Sequence, residues 1–193
     1  EMRTRRPPSA LLLDGEHATV GFVACGDDDD APSARTTTSR STTSTTASTT
    51  TTAFAGSTSP TSVASHASAT ALLAGVRVED GLVTFVFRGD APGVDAKYVE
   101  PPITEDASGK TVDVDGNAFL SIRMEPASAV DLSSGEPKET YTGPDRIKGQ
   151  GPVTEIVETG DFEANLTWVI GLDAMRPYRV EVANSTVRVY VST

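Results

Sequence analysis

The sequence contains few of the side chains that enzymes most often use as nucleophiles, bases or metal ligands. Its 193 residues include one cysteine, Cys25, and two histidines, His17 and His66. A single cysteine cannot form a disulfide within the chain. Both histidines lie outside residues 71–193, the segment that is predicted to fold, which argues against Ser-His-Asp and Cys-His mechanisms and against His/Cys zinc sites. We therefore predict that the protein is not an enzyme and has no catalytic residue, no metal site and no cofactor.

The sequence also lacks a long apolar run and an excess of positive charge. No stretch of about 18 apolar residues is present, so the sequence predicts no transmembrane helix. The net charge is -11, and residues 71–193 alone contain eleven Lys/Arg and twenty Asp/Glu. Phosphate backbones repel a domain this acidic, so a nucleic-acid partner is not expected. The acidic surface is instead typical of a domain that stays soluble.

Residues 1–25 have the three parts of an export signal. The basic stretch "MRTRRPP" is followed by the apolar stretches "SALLL" and "ATVGFVAC", and small residues lie just before Cys25. This arrangement is typical of a bacterial lipoprotein signal, in which the peptidase cuts before a cysteine whose thiol carries a diacylglyceryl group. It predicts lipid attachment at Cys25, export, and anchoring at the outer face of the cell membrane.

The match to a lipoprotein signal is imperfect. Asp14 and Glu16 place two carboxylates inside the apolar stretch, and Phe22 lies where leucine is more usual. Two acids in so short an apolar segment weaken its insertion into a membrane. The alternative is a disordered N-terminal tail in which the cysteine is incidental.

Residues 26–70 have the composition of a linker. Fifteen of the seventeen residues 36–52 are Thr or Ser, and four aspartates follow Cys25 almost directly. Without apolar periodicity the segment cannot bury a face that offsets its ordering entropy, so it is predicted to be disordered. As a flexible coil it would span on the order of 35–40 Å.

Residues 71–193 carry the pattern of an all-β domain. Short runs of alternating apolar and polar residues recur between Gly, Pro, Asp and Asn, and no run keeps a helical period. Spacing of this kind predicts an antiparallel β-sandwich of about eight to nine strands. The expected strands are 72–78, 82–88, 94–100, 110–114, 118–124, 153–160, 164–172, 178–182 and 186–191.

Alternation along three of these strands identifies the expected core, because side chains two residues apart share one face of a strand. Trp168 lies on such an apolar face and is expected in the core. Arg188 and Tyr190 are expected to point outward. The predicted core residues are Val83, Phe85, Phe87, Leu166, Trp168, Ile170, Leu172, Val187, Val189 and Val191.

Several local motifs have simpler structural interpretations. The "DGN" at 115–117 is predicted to be a hairpin turn between residues 110–114 and 118–124, and not a calcium loop, because the twelfth position of that loop would be Met124. Asp161 and Glu163 are spaced for acid–base chemistry, but Asp161 is expected to shape a turn instead.

Four blocks of the folded segment follow one another in a recognisable order: "VEDGLVTFVFRGDAPGVDAKYVE" (78–100), "SGKTVDVDGNAFLSIRM" (108–124), "YTGP" (141–144) and "VTEIVETGDFEANLTWVIGLDAMRPYRVEV" (153–182). In this order they resemble the AMIN-like domains of actinobacterial envelope lipoproteins. The stretch "GDFEANLTW" is the most specific part, and the signal and Thr-rich linker also resemble the architecture of those proteins. The resemblance implies a β-sandwich over 71–193 and a non-catalytic domain in the cell envelope. Related AMIN domains are linked to localisation and peptidoglycan binding.

Two hypotheses for function follow. The first is a lipid-anchored, non-catalytic envelope protein whose β-sandwich binds an envelope ligand, with peptidoglycan or an envelope protein as the candidate. The second is a structural or protein-interaction module without a small ligand, which would pair an exposed sheet edge with a partner strand. Neither hypothesis assigns ligand-binding residues.

Overall fold

The alternating apolar pattern produces an all-β structure. The computed structural model describes residues 54–193, and this part of the chain contains thirteen strands. No helix that could cross a membrane is found among these residues. The strands are β1 Thr61–Val63, β2 Ala71–Glu79, β3 Leu82–Arg88, β4 Gly93–Val99, β5 Ala118–Glu125, β6 Ala127–Ser128, β7 Val130–Asp131, β8 Lys138–Glu139, β9 Arg146–Lys148, β10 Val153–Phe162, β11 Asn165–Leu172, β12 Tyr178–Ala183 and β13 Thr186–Val191.

The longer strands form two sheets that pack face to face. The six-stranded sheet has the order β1-β4-β5-β11-β10-β9, and the five-stranded sheet has the order β12-β13-β3-β2-β6. All neighbours are antiparallel except β2 and β6, which pair in parallel. Strands β7 and β8 form a separate two-stranded hairpin. The predicted antiparallel β-sandwich is therefore confirmed.

The core lies between the two sheets and consists of the inward faces that the alternation predicts. Phe85 of β3 and Trp168 of β11 meet across it edge to face, with ring centroids 5.8 Å apart. Each large side chain of this kind stabilises the fold by about 1.5–3 kcal/mol relative to an exposed one. All ten predicted core residues are buried, including Val83, Leu166 and Val187.

One short strand lies inside the predicted linker. Residues 26–70 were expected to be disordered, but Thr61–Val63 pairs antiparallel with β4 and extends the six-stranded sheet. The buried side chain of Tyr178 holds this segment, because its hydroxyl lies 2.7 Å from the carbonyl oxygen of Ser59 and 2.8 Å from that of Ala96. For Thr61–Val63 the prediction of disorder is wrong. The predicted signal, Cys25 and the linker up to residue 53 lie outside the described residues.

The predicted hairpin around Gly116 and Asn117 does not form. Strand β5 pairs with β4 and β11, and residues 110–114 form no strand. These residues instead turn back on the chain before them, since the amide of Val112 donates to the carbonyl of Ile103 at 2.8 Å. Long-range contacts thus outweigh a strong local turn signal.

The polar connection over 125–151 contains β6 to β9 and one buried aromatic corner. The ring of Tyr141 packs edge to face on Trp168 at 6.0 Å, and its hydroxyl donates to the carbonyl of Pro144 at 2.9 Å. A Cβ on Gly143 would lie within 2.6 Å of the Tyr141 ring and hydroxyl, so only glycine fits beneath it. The "YTGP" block is explained by this packing.

Candidate functional site

A wide concave surface lies on the outer face of the six-stranded sheet. We call it the sheet groove, and it encloses about 760 Å³. Strands β4, β5, β10 and β11 form its floor, the chain after β4 forms one wall, and β1 forms one end. Its principal residues are Thr61, Ser62, Asp95, Lys97, Val99, Glu100, Ile103, Asp106, Ser121, Arg123, Thr159, Phe162, Asn165, Thr167 and Val169.

The strand period places these side chains in the groove. On β4, Val94 and Ala96 are buried in the core, whereas Asp95 and Lys97 are exposed on the opposite face. The same alternation on β11 directs Thr167 outward. Because the floor consists of hydrogen-bonded strands, its polar groups are held on a rigid surface.

Asp106 fixes the wall of the groove to its floor. The hydroxyl of Thr167 donates to its carboxylate at 2.6 Å, and the Asp106 amide donates to the carbonyl of Thr159 at 2.9 Å. The close approach requires glycine at position 160, because a Cβ there would lie 2.7 Å from an oxygen of the Asp106 carboxylate. Asp106 is therefore a positioning residue for the wall.

Charged and amide groups alternate along the groove floor. The Arg123 guanidinium donates through Nε to Asn165 Oδ1 at 2.9 Å and through Nη2 to Glu125 at 3.3 Å. Near β1, the hydroxyl of Ser62 hydrogen-bonds the carboxylate of Asp95. The groove thus offers both donors and acceptors, a combination that suits a polar, uncharged or zwitterionic ligand.

An exposed aromatic ring lies at the other end of the groove. The side chain of Phe162 is 57 % exposed, although it is the last residue of the long, mostly buried strand β10. The turn that follows it has two non-glycine residues with positive φ, Glu163 at 51° and Ala164 at 59°. The positive φ of each of these residues destabilises the folded state by of order 1 kcal/mol or more. This strained two-residue turn connects β10 to β11 and holds Phe162 at the groove mouth.

The two carboxylates that were considered for acid–base chemistry do not form a site. Asp161 accepts hydrogen bonds from the Ala129 amide at 2.8 Å and from the Ser128 hydroxyl at 3.0 Å. It holds the β6 segment and does not bond its own turn, so the expected turn-shaping role is wrong. Glu163 occupies the turn itself.

Glu158 is an unusual carboxylate at the edge of the core. It is the cross-strand partner of Trp168 and lies on the same face. Burial, together with the negative charges of Asp145 and Asp161, raises the pKa of Glu158 from 4.5 to about 7. It therefore takes up a proton near neutral pH. Because it lies on the core face, away from the groove, its protonation is expected to affect the stability of the fold and not ligand binding.

No group of three or more His, Cys, Asp or Glu side chains in residues 54–193 is arranged to hold a metal. His66, the one histidine in this range, is exposed and lies between β1 and β2. Sequence reasoning assigned no ligand-binding residue, and the groove residues come from five strands and a loop. Phe162, which lies in the stretch "GDFEANLTW" and is exposed in the structure, is the one local feature of the sequence that could have indicated the groove.

Comparison with known proteins gives a match to a family model. Neither the curated proteins nor the solved structures provide a match. The family model of the AMIN-like domain matches residues 72–192, which contain nine strands of the two packed sheets in full and all of β2 except its first residue. This match covers more than half of the 193-residue chain, so the chain belongs to the AMIN-like domain family.

Proposed function

We propose that this chain is a non-catalytic envelope lipoprotein that is anchored through Cys25 and binds the glycan part of peptidoglycan in the sheet groove. AMIN-like domains are in general binding or structural modules that are associated with the envelope and with peptidoglycan. The ligand, the groove as its binding site and the anchor are parts of the proposal.

The chemistry of the groove is the observation that carries this proposal. A glycan strand presents hydroxyl and acetamido groups, which need both donors and acceptors. The side chains of Asp95, Lys97 and Asn165 provide these groups along the floor. Sugar rings also have apolar faces, which an exposed aromatic ring such as Phe162 can cover.

The length and openness of the groove also favour a chain-like ligand. It extends from Ser62 on β1 across β4, β5 and β11 to Phe162 at the end of β10. Across that many strands, at about 4.8 Å spacing, the floor is about 15–20 Å wide. Several sugar units can lie along a floor of this width.

Co-sedimentation with purified, insoluble peptidoglycan tests the proposal with the full chain. We expect Phe162→Ala to weaken binding about tenfold, because an aromatic ring that is partly covered by ligand contributes roughly 1–1.5 kcal/mol. Leu132→Ala is the matched control, since Leu132 is 65 % exposed on the β7–β8 hairpin side of the chain. If the wild type stays in the supernatant at both low and moderate salt, peptidoglycan is not the ligand.

The anchor has a separate test. Metabolic labelling with a fatty acid, followed by intact-mass measurement, should label the wild type and not Cys25→Ala. Equal labelling of the two proteins would contradict lipid attachment at Cys25 but would leave the groove proposal untouched.

An open sheet edge favours the second candidate function, a protein-interaction module. Strand β2 pairs with β6 only at Ala71 and Leu72, so within the described residues Leu73–Glu79 has no strand on that side. A partner strand could add there through main-chain hydrogen bonds. Photo-crosslinking from position 77 in cells should then recover one protein partner, whereas the groove proposal predicts none at this edge.

A further inference from the structure

The outer face of the five-stranded sheet is positively charged, although the domain as a whole is acidic. Four of the eleven Lys/Arg residues of 71–193 lie on the outward positions of β2, β3, β12 and β13, together with two of the twenty Asp/Glu. The arginines are Arg77, Arg88, Arg179 and Arg188, and the glutamates are Glu79 and Glu181. Charge is therefore distributed unevenly between the faces of the sandwich.

Strand register gathers three of these arginines. Arg188 pairs with Thr84, and Thr84 pairs with Arg77, so the two arginines lie in one row about 10 Å apart. Arg179 lies on β12, in the next row, where it pairs with Tyr190. We call these residues, Arg77, Arg179 and Arg188, the arginine face. Arg88 lies at the far end of β3, where the nearby charge of Asp131 offsets it.

Aromatic stacking holds one guanidinium in place. The guanidinium carbon of Arg179 lies 4.5 Å from the centroid of the Tyr190 ring and 5.9 Å from that of Phe54. Its Nη2 is 3.1 Å from Glu181, and its Nε is buried without a hydrogen-bond partner among the described residues. An arginine fixed in this way is pre-organised to receive an oxyanion with its remaining N–H groups.

We infer that the arginine face binds a linear polyol-phosphate polymer of the envelope, at a site separate from the sheet groove. The positive charge and the guanidinium fork fit phosphodiester oxygens. The Tyr190 ring is covered by Arg179, so it cannot serve as the stacking platform that single-stranded nucleic acids use. A polymer without bases is therefore the better fit.

The surrounding acids favour a single chain over a membrane surface. Glu79 and Asp80 lie at the β2–β3 turn, whereas Glu181 is the cross-strand partner of Arg188 and pairs with Arg179, so carboxylates lie both beside and within the arginine face. A flat anionic membrane would contact these carboxylates together with the arginines. A single flexible polymer strand can instead place its phosphates on the arginines and a free hydroxyl on Glu181.

Fluorescence anisotropy with labelled poly(glycerol phosphate) tests this inference on the full chain. With three phosphate contacts on a flexible strand, the affinity of the wild type should fall about 20-fold between 50 and 200 mM salt. The double variant Arg77→Gln/Arg188→Gln keeps one of these contacts, so its affinity should fall only about threefold. For the single variant Arg77→Gln, at an exposed position, the affinity should fall about sevenfold over the same range of salt. Lys110→Gln/Lys138→Gln changes the net charge equally and should behave as the wild type.

Three outcomes would overturn the inference. The first is the absence of polymer binding at 50 mM salt, and the second is an equal loss in the arginine and lysine double variants. The third is tighter binding to phosphatidylglycerol vesicles or to an oligothymidylate strand than to the polymer. Binding to peptidoglycan stripped of attached polymers should be unchanged in the arginine variant, so this result does not depend on the groove proposal.

Discussion

Replacing Glu158 with glutamine should stabilise the protein at alkaline pH and have little effect at acid pH. The pKa of Glu158 is about 7 in the folded protein and 4.5 without its surroundings, so folding favours the protonated form. Below pH 4.5 the carboxyl is neutral in both the folded and the unfolded state, so it does not lower the free energy of unfolding. Between pH 4.5 and 7 the unfolded state loses its proton first, so stability falls with rising pH and then levels off.

The magnitude follows from the size of the pKa shift. A shift of this size corresponds to about 3 kcal/mol if it is converted in full, since one pKa unit is about 1.4 kcal/mol. The Glu158 side chain is only partly buried, and solvent screening reduces the effect to about 1–2 kcal/mol. Glu158→Gln should therefore raise the free energy of unfolding by about this amount at pH 8 and by almost nothing at pH 4.5.

Urea unfolding followed by tryptophan fluorescence measures this effect directly. The sole tryptophan, Trp168, is fully buried and is the cross-strand partner of Glu158. Glu136→Gln, at an exposed position, is the control for loss of a negative charge. If Glu158→Gln changes stability by the same amount at pH 4.5 and pH 8, the carboxylate is not protonated in the folded state and the reasoning fails.

Three further changes test the contacts that shape the groove and its supports. Ala164→Gly should raise the free energy of unfolding by about 0.5–1 kcal/mol, because glycine adopts the positive φ without strain; no gain in denaturant midpoint would contradict it. Gly160→Ala should lower thermal stability by about 1–3 kcal/mol, because the new methyl group displaces Asp106 from the sheet. Tyr178→Phe should cost about 1–2 kcal/mol in chemical denaturation, because the carbonyl of Ala96 loses its buried partner.

The packed strands could be predicted from the sequence because their burial follows a local rule. On β3 and β13 every second side chain enters the core, so the period alone identifies Val83, Phe85 and Val189 as buried. Trp168 followed from the same argument. The rule works wherever one face of a strand meets the opposite sheet.

Predictions failed where long-range contacts decide the structure. The "DGN" turn signal was overridden because side chains of distant strands hold the preceding segment: Glu155 accepts the amide of Asp115 at 3.0 Å, and Arg146 donates to the carbonyl of Asp113 at 2.7 Å. Strand β1 was missed because "TSV" has no pattern of its own and is ordered by β4 and Tyr178.

The groove could not be predicted for the same reason. Its floor combines residues such as Asp95, Ser121 and Thr167, which come together only when β4, β5 and β11 become neighbours in the order of the sheet. Its wall depends on one contact between Asp106 and Thr167, which are 61 positions apart. A short sequence motif cannot encode such a surface.

An NMR titration of the labelled full chain with soluble peptidoglycan fragments tests the central claim most directly. The account predicts that amide shifts concentrate on residues 95–99, 121–123, 159–162 and 165–169, the parts of β4, β5, β10 and β11 that form the groove floor. Shifts that concentrate on Arg77, Arg188 and their neighbours, or no shifts at millimolar fragment, would contradict the assignment of peptidoglycan to the sheet groove.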